Sequence, residues 1–399
     1  MTHENKFGMF IHWGLYSLTE LHEQALARYS LSREYYESLK NEFNPIEYNP
    51  EEWVLLAKRA GMKYICFTAK HHDGFCMWNT KYTDYNVMNT PYGKDVLKML
   101  ADACNKHSML LSIYYSNPDW HHECGYNPNS SHQWRAVSSD DSRLDEYKTY
   151  IKNQITELLT NYGKIYTLFW DIPPCVYDPS LNELARLLQP DIYINDRGFS
   201  EGDFSTPERE EEELCGGRFS HMVEACNSVG TQSWGYRLNE SFYSIRHLCA
   251  SITNVMARGG SYLLNVGPTS SGIISPEYKS RIERVGDWYC RMCGALECHE
   301  EDPFEYEIYA EMPLITKKEN RTYFHFPNGI ISSSLIFTKY PGLPKRVRLL
   351  NTNTAPDFKI EYLPAPFDKR TGLGSERLHI TGIPTDELAS EAIVMEIEW

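Results

Sequence analysis

Short apolar runs of strand length alternate with amphipathic segments over the first three quarters of the chain. Residues 50–61 are typical of the amphipathic segments: a proline opens them, acids precede bases, and a glycine closes them. Strands that alternate with helices in this way indicate a (β/α) barrel of parallel strands. We predict helices at 50–61, 93–107, 142–162, 181–188 and 276–296, and strands at 7–13, 64–67, 109–115, 165–170, 192–195, 221–226, 231–235 and 262–266.

The pattern changes near residue 299. From there on, short alternating runs are separated by Pro, Gly, Asn and Asp, which is typical of antiparallel strands joined by turns. We therefore predict two units, an α/β TIM-like (β/α)8 barrel over residues 1–298 and a small C-terminal antiparallel β-sandwich over residues 299–399. The runs of the second unit lie at 322–326, 334–337, 346–350, 359–362, 378–380 and 392–397.

Charge and composition favour a neutral ligand. The 399-residue chain has a formal net charge of −15, whereas nucleic acids and anionic membranes are bound by clustered Lys and Arg. We therefore expect neither nucleic acid nor membrane as a partner. The 28 Tyr and 9 Trp residues suit a protein that packs rings against a ligand, although a large core contains aromatic residues too.

The cysteines and the start of the chain bear on the cellular compartment. Eleven Cys residues show no disulfide-framework spacing, which fits a reducing compartment. Cys290 and Cys293 are expected to be helical core thiols, since no second pair follows to complete a metal knuckle. Neither a secretory leader nor an apolar stretch of membrane-spanning length is evident. We expect a cytoplasmic protein, or an exported one whose leader this sequence lacks, and the oligomeric state stays open, a homo-oligomer included.

Polar residues directly follow three of the predicted barrel strands. His12 follows the first strand, His71 and His72 follow the second, and Asp171 follows the fourth. The carboxyl ends of barrel strands line the active-site mouth, so we expect these side chains to meet there. The alternatives are structural: imidazoles that bond to backbone in the barrel wall, and a carboxylate that caps the loop at Pro173.

Eight distinctive segments follow one another along the chain. They are KFGMFIHWG at 6–14, TAKHHDGF at 68–75, YYSNPDW at 114–120, LFWD at 168–171, NDR at 195–197, DFSTPE at 203–208, SWGY at 233–236 and GGSYLLNVGP at 259–268. Together they resemble the α-L-fucosidases of glycoside hydrolase family 29, from residue 6 to about residue 298, and that family also carries a β-sandwich after the barrel. The resemblance implies a somewhat irregular barrel and a retaining enzyme, without a cofactor, that releases terminal α-L-fucose from fucosylated oligosaccharides or glycoconjugates.

The resemblance also implies the two catalytic carboxyl groups. By motif match, Asp171 is the nucleophile that forms a covalent glycosyl-enzyme intermediate. Glu208, in the DFSTPE segment, matches the acid/base that protonates the departing oxygen and later deprotonates water. An acidic run at 210–213 follows it, and nearby like charges raise the pKa of a carboxylic acid unless solvent screens them. Glu224 is the rival for this role, because it lies on the predicted strand at 221–226.

The contacts that hold the sugar are implied in the same way. The three histidines would donate hydrogen bonds to its hydroxyls, Arg197 would help to position nucleophile and substrate, and aromatic rings would stack on its apolar face. Core packing is the alternative for each ring. The predicted substrate-binding residues are His12, Trp13, His71, His72, Tyr114, Trp120, Arg197 and Trp234.

A metal site is the competing interpretation of the histidines. Together with Asp171 they could bind zinc, as in barrel hydrolases that use this metal. Adjacent residues of a regular strand point to opposite faces, however, whereas such sites often use a His-x-His pair that faces one way. We therefore predict no metal.

One stretch departs from the family pattern. Family members often carry a Glu-Trp pair, which also contacts the sugar, in the loop after the first strand, and residues 20–29 here contain no Trp. The finer preference is therefore open to a related sugar such as an α-L-galactoside, which differs by a hydroxyl at C6. A catalytically inactive barrel that only binds fucose is a further alternative.

Overall fold

In the part of the chain that the structure describes, seven parallel strands form one curled sheet. The structure is a computed structural model and describes residues 5–125, 132–133, 135–137, 142–174, 176–209, 217–300, 302–363 and 374–399. The strands are β1 (Phe7–Ile11), β2 (Tyr64–Lys70), β3 (Leu110–Ser116), β4 (Ile165–Asp171), β5 (Tyr193–Ile194), β6 (Glu224–Ser228) and β7 (Ser261–Val266). Their order across the sheet is β5, β4, β3, β2, β1, β7, β6.

A short segment links the two edges of this sheet. Single parallel bridges join Asn195, next to β5, to Phe204, and then join Ser205 to Val223 and Glu208 to Cys226 on the side of β6. Residues 204–208 therefore take the place of an eighth strand. This irregular closure carries Glu208 to the carboxyl ends of the other strands.

The strand predicted at 231–235 is wrong. The backbone N–H groups of Thr231 and Gln232 donate to the Glu240 carboxylate at 3.0 and 2.9 Å, and that of Ser233 does so at 3.1 Å. The N–H of Thr231 also donates to the carbonyl of Ser241 at 2.8 Å, whereas the N–H groups of Gln232 and Ser233 are taken by the side chain, so these two cannot donate to a neighbouring strand. The segment is a loop that the Glu240 carboxylate stabilises through hydrogen bonds to its backbone.

The sheet is covered by helices that follow the predicted rhythm. They are α1 (Ala25–Arg28), α2 (Arg33–Ser38), α3 (Pro50–Arg59), α4 (Val96–Lys106), α5 (Leu144–Asn161), α6 (Ser180–Leu188), α7 (Ile245–Met256) and α8 (Pro276–Leu296). The sequence prediction missed α7, although Ser244 caps it by accepting a hydrogen bond from the N–H of His247. Among the described residues, no helix is both long and apolar enough to cross a membrane.

The C-terminal unit contains two four-stranded antiparallel sheets in its described part. Its strands are β8 (Glu307–Ile308), β9 (Leu314–Lys318), β10 (Arg321–Phe326), β11 (Ser334–Lys339), β12 (Arg346–Leu349), β13 (Asp357–Leu363), β14 (Ser375–Thr381) and β15 (Ile393–Glu398). The sheet orders are β12, β15, β10, β9 and β13, β14, β11, β8. Phe324 and Phe337 are buried in its core with ring centroids 5.3 Å apart. An α/β barrel followed by an antiparallel sandwich, as predicted, is confirmed.

Candidate active site

A cavity opens at the carboxyl ends of the barrel strands. Parallel strands bring their carboxyl ends to one edge, so polar residues that are far apart in sequence meet there. Phe10 and Phe169, with ring centroids 5.3 Å apart, form an apolar part of its wall. The lining residues are Phe10, His12, Glu23, Gln24, His71, His72, Tyr114, His132, Phe169, Asp171, Ile172, Glu208 and Trp234.

Asp171 is the last residue of β4 and is held by three donors. Its Oδ1 accepts from Arg197 Nη1 at 3.0 Å and from the N–H of Ile172 at 2.9 Å, and its Oδ2 accepts from the Tyr114 hydroxyl at 2.5 Å. Burial alone would raise the pKa of this carboxyl, but the Arg197 guanidinium, with the hydrogen bonds from Tyr114 and the N–H of Ile172, brings the pKa below its usual value. Asp171 is therefore a fixed carboxylate at neutral pH.

The backbone beside Asp171 is strained. Ile172 has a φ of 57°, in the left-handed region that a β-branched residue rarely occupies. Such strain persists only where surrounding contacts enforce it, and it clusters at functional sites. Here the turn brings the N–H of Ile172 onto the carboxylate.

Glu208 lies within reach of the same guanidinium. Arg197 Nη1 contacts Glu208 Oε1 as well as Asp171 Oδ1. Two ordinary hydrogen bonds to one nitrogen place the acceptor oxygens at most about 6 Å apart. That spacing is compatible with the carboxyl separation of about 5–5.5 Å that retaining glycosidases need.

The pKa values of the two carboxyl groups are shifted in opposite directions. Burial raises the pKa of Glu208, and the Asp171 carboxylate adds to this effect, while Arg197 opposes it. Glu208 is 36% exposed, whereas Asp171 is 11% exposed. A pair with one pKa lowered and the other raised is the arrangement in which one group attacks and the other carries a proton. The acidic run at 210–213 lies outside the described residues.

The three predicted histidines, His12, His71 and His72, line the same cavity as these acids, together with His132. His12 Nδ1 lies 2.7 Å from Asn265 Oδ1, and His72 Nδ1 lies 2.7 Å from Ser116 Oγ. His71 stacks on the Tyr114 ring at 5.7 Å with an interplanar angle of 10°. Burial lowers the pKa of His12 and of His72 to about 4, so both rings are neutral at neutral pH.

The model of the family described as "Alpha-L-fucosidase" matches residues 2–292. The chain belongs to the alpha-L-fucosidase family. An alpha-L-fucosidase of Branchiostoma floridae is 27% identical over 324 residues, covering 71% of this chain and 69% of that protein. The tissue alpha-L-fucosidase of Homo sapiens is 26% identical over 366 residues, covering 82% and 76%. The structure of alpha-L-fucosidase isoenzyme 1 from Paenibacillus thiaminolyticus is 28% identical with a TM-score of 0.81, covering 99% of this chain and 97% of that one.

The aromatic residues predicted from the family resemblance fall into two groups. Tyr114 and Trp234 line the cavity, and Trp234 lies 5.3 Å from the His12 ring. Trp13 lies in the core, where its indole N–H donates to the carbonyl of Thr269 at 2.9 Å. Trp120 is fully buried behind His72, with ring centroids 5.5 Å apart. Neither Trp13 nor Trp120 is among the described residues that line the cavity.

The stretch that departs from the family pattern nevertheless reaches the cavity. Glu23 and Gln24 both line it. The Glu23 carboxylate accepts from Ser233 Oγ at 2.7 Å and from the N–H groups of Trp234 and Gly235 at 2.9 and 3.4 Å. Sequence reasoning singled out this stretch for its missing tryptophan and overlooked Glu23. The available signal was the SWGY segment, which folds onto it.

Glu224 lies at the other end of the barrel from Asp171. It is the first residue of β6, whereas Asp171 is the last residue of β4. Glu224 Oε2 accepts from the Tyr64 hydroxyl at 2.5 Å, and Tyr64 is the first residue of β2. Burial raises the pKa of Glu224 to about 7. Glu224 is not among the described residues that line the cavity. It therefore does not lie where a rival acid/base would have to lie.

The histidines do not gather as a zinc site would require. In the described chain, the group of potential ligands whose donor atoms all lie within 4.8 Å of one another is Glu123, Cys124 and Glu146. Both of its carboxylates pair with Arg143, at 3.2 and 2.7 Å. Of the predicted histidines, His12 and His72 each place Nδ1 on a separate partner, Asn265 and Ser116.

Proposed function

We propose that this chain is a retaining α-L-fucosidase that releases terminal α-L-fucose from fucosylated oligosaccharides or glycoconjugates. Asp171 is the nucleophile and Glu208 the acid/base. The observation that carries this proposal is the sharing of Arg197 Nη1 by both carboxyl groups at one cavity. Membership of the alpha-L-fucosidase family supports the choice of sugar.

Each group's protonation suits the first step. Asp171, ionised and aimed by Arg197, Tyr114 and the N–H of Ile172, attacks the anomeric carbon. Protonated Glu208 gives its proton to the glycosidic oxygen as the bond from that oxygen to the anomeric carbon breaks. A fucosyl ester of Asp171 forms and the aglycone leaves as an alcohol.

The second step reverses these roles. Glu208, now a carboxylate, takes a proton from water, and the water oxygen attacks the anomeric carbon. The ester bond to Asp171 breaks and fucose leaves with its original anomeric configuration. The Arg197 guanidinium, which faces both groups, stabilises whichever of them is charged at each stage.

The walls of the cavity suit a neutral deoxy sugar. Neutral imidazoles and the Glu23 carboxylate offer hydrogen-bonding groups for hydroxyls, and Phe10, Phe169 and Trp234 offer apolar rings for the C–H face and the methyl group. Gln24 lines the same cavity and adds an amide. An amide tolerates a hydroxyl better than an indole does, so release from an aryl α-L-galactoside, run beside the aryl α-L-fucoside, measures the preference at C6.

Replacement of the nucleophile tests the proposal. Asp171→Ala should lower the hydrolysis of an aryl α-L-fucoside by about 10⁴-fold or more, because no covalent intermediate can form. Added azide should then fill the vacated space and yield β-fucosyl azide, identified by NMR. Asp119→Ala is the matched control for loss of a buried carboxylate outside the cavity lining, and it should not make azide a substrate. Full activity in Asp171→Ala would remove this residue from the mechanism.

A further inference from the structure

The protons on His72 and His12 can be located from the partners of their Nδ1 atoms. Ser116 Oγ carries one proton and lies 2.7 Å from the carbonyl oxygen of Pro118, which can only accept. The proton must lie in that contact. The second 2.7 Å contact of Ser116 Oγ, with His72 Nδ1, therefore needs a proton from the ring. His72 carries its hydrogen on Nδ1.

The same reasoning applies to His12. The side-chain amide of Asn265 donates to the carbonyl of Trp234 at 2.7 Å and to Ser228 Oγ at 3.0 Å, which fixes its nitrogen on that side. Its oxygen therefore faces His12 Nδ1 at 2.7 Å and can only accept. His12 also carries its hydrogen on Nδ1.

A neutral ring with a hydrogen on Nδ1 has a bare Nε2. Burial keeps both rings neutral, and in the described chain neither Nε2 has a hydrogen-bond partner. His72 Nε2 faces Asp171 Oδ2 across 3.9 Å, too far for a hydrogen bond. Two acceptors that face each other across such a gap attract a hydroxyl that can donate.

We propose that Ser116 and Asn265 are positioning residues that set the tautomers of His72 and His12, so that the cavity selects a sugar whose hydroxyls donate to two bare imidazole nitrogens. This inference rests on the proposed function for the identity of the sugar. It reverses the sequence-based expectation that His12 and His72 donate. His71 differs, because its Nδ1 is buried without a partner among the described residues, so its hydrogen belongs on Nε2.

The tautomer at His72 also protects the nucleophile. A hydrogen on Nε2 would point at Asp171 Oδ2 and draw the two together, and a hydrogen-bonded carboxylate attacks carbon less readily. Asp171 Oδ2 already accepts from Tyr114 at 2.5 Å. Because Ser116 Oγ accepts the hydrogen of His72 on Nδ1, His72 has no hydrogen on Nε2 to donate to Asp171.

NMR on the full chain without sugar tests the tautomers directly. In ¹⁵N-histidine-labelled protein, long-range proton–nitrogen correlations should show Nδ1–H and bare Nε2 for His12 and His72. Ser116→Ala should switch His72 alone to Nε2–H, and Asn265→Ala should switch His12 alone. Ser112→Ala is the matched control, because Ser112 lies on the same strand and its buried hydroxyl has no hydrogen-bond partner in the described chain. Nε2–H at either ring in the unaltered protein would overturn the proposal.

Ligand analogues test the consequence. In methyl α-L-fucoside each ring hydroxyl is replaced in turn by hydrogen or by fluorine, which cannot donate, and binding is measured as competitive inhibition. At two of the hydroxyl positions, the fluorine analogue and the hydrogen analogue should both inhibit about tenfold or more weakly than methyl α-L-fucoside. Fluorine that restores binding at every position would overturn the selection of donors. If methyl α-L-fucoside itself does not bind, the proposed function fails, while the NMR result still decides the tautomers.

Discussion

Two glutamates at opposite ends of one barrel, Glu208 partly exposed and Glu224 fully buried, have different surroundings. Burial raises the pKa of both Glu208 and Glu224. Glu208 shares a guanidinium with the carboxylate of Asp171 and faces a cavity. Glu224 has a tyrosine hydroxyl as its hydrogen-bond partner and is fully buried. A perturbed pKa is therefore not enough to identify a catalytic acid.

The difference lies in what each carboxyl can reach. Glu208 is 36% exposed, so it can exchange protons with solvent and meet a substrate oxygen. Glu224 Oε1 is buried with no hydrogen-bond partner in the described chain, so its proton stays within the barrel floor. Access to a reacting atom decides function here, and burial sets only the protonation state.

Replacement of each glutamate by the isosteric, neutral glutamine should give the largest difference in activity between the two positions. Glu208→Gln should lower release of a poor leaving group by about 10²–10⁴-fold, because that oxygen needs a proton as it departs. An activated dinitrophenyl fucoside, whose leaving group needs no proton, should suffer far less in its first step. Glu224→Gln should leave both rates near those of the unaltered chain. Equal losses on both substrates in Glu208→Gln would show that Glu208 does not act as the proton donor.

Removal of the shared guanidinium should move the pH profile. Arg197 lowers the pKa of Asp171, which the proposed mechanism needs ionised, and opposes the rise in the pKa of Glu208, which that mechanism needs protonated. In Arg197→Gln both pKa values rise, so both limbs of the kcat/KM profile should shift to higher pH, by about one unit or more.

Tyr64→Phe supplies the control for that shift. It removes a donor to a buried carboxyl at the opposite end of the barrel and should leave both limbs in place. An unshifted profile in Arg197→Gln would mean that the limbs report groups other than Asp171 and Glu208.

Asp171 and Glu224 show where sequence reasoning places a side chain correctly and where it does not. Asp171 was predictable, because an apolar run of strand length ends on it and parallel strands point their ends at one mouth. Glu224 was misplaced because the bounds predicted for its strand were wrong. The strand predicted at 221–226 sets Glu224 near its carboxyl end, whereas β6 runs from Glu224 to Ser228 and makes it the first residue. A shift of two or three residues moved this side chain to the opposite end of the barrel.

Other parts of the site had no local signal. Glu208 lies on a segment that single bridges hold between the sheet edges, and without an apolar run only the family resemblance pointed to it. Trp13 ends the strand predicted at 7–13 and Trp234 lies in the strand predicted at 231–235, yet the carbonyl of Thr269 holds the Trp13 indole in the core. Such partners lie more than 200 residues away in sequence, so periodicity cannot reveal them.

Replacement of Glu224 should have the smallest effect on activity, and its main effect should be on stability. The pKa of this carboxyl is about 7 in the folded chain, whereas its ordinary value is 4.5. A raised folded pKa means that the folded state holds the proton more tightly, so this contribution is complete below pH 4.5 and is lost as the pH rises through 7. A shift of this size corresponds to about 3 kcal/mol.

Unfolding by urea at pH 5 and pH 8 measures this contribution. Between these two pH values the unaltered chain should lose about 2.5 kcal/mol more of its unfolding free energy than Glu224→Gln, which cannot titrate at this position. Glu208→Gln is the comparison variant, and its difference should be smaller, because solvent reaches Glu208 and screens its charge. Parallel changes in the unaltered chain and Glu224→Gln would mean that Glu224 is already ionised in the folded barrel. The buried carboxyl would then need a compensating charge at the barrel floor.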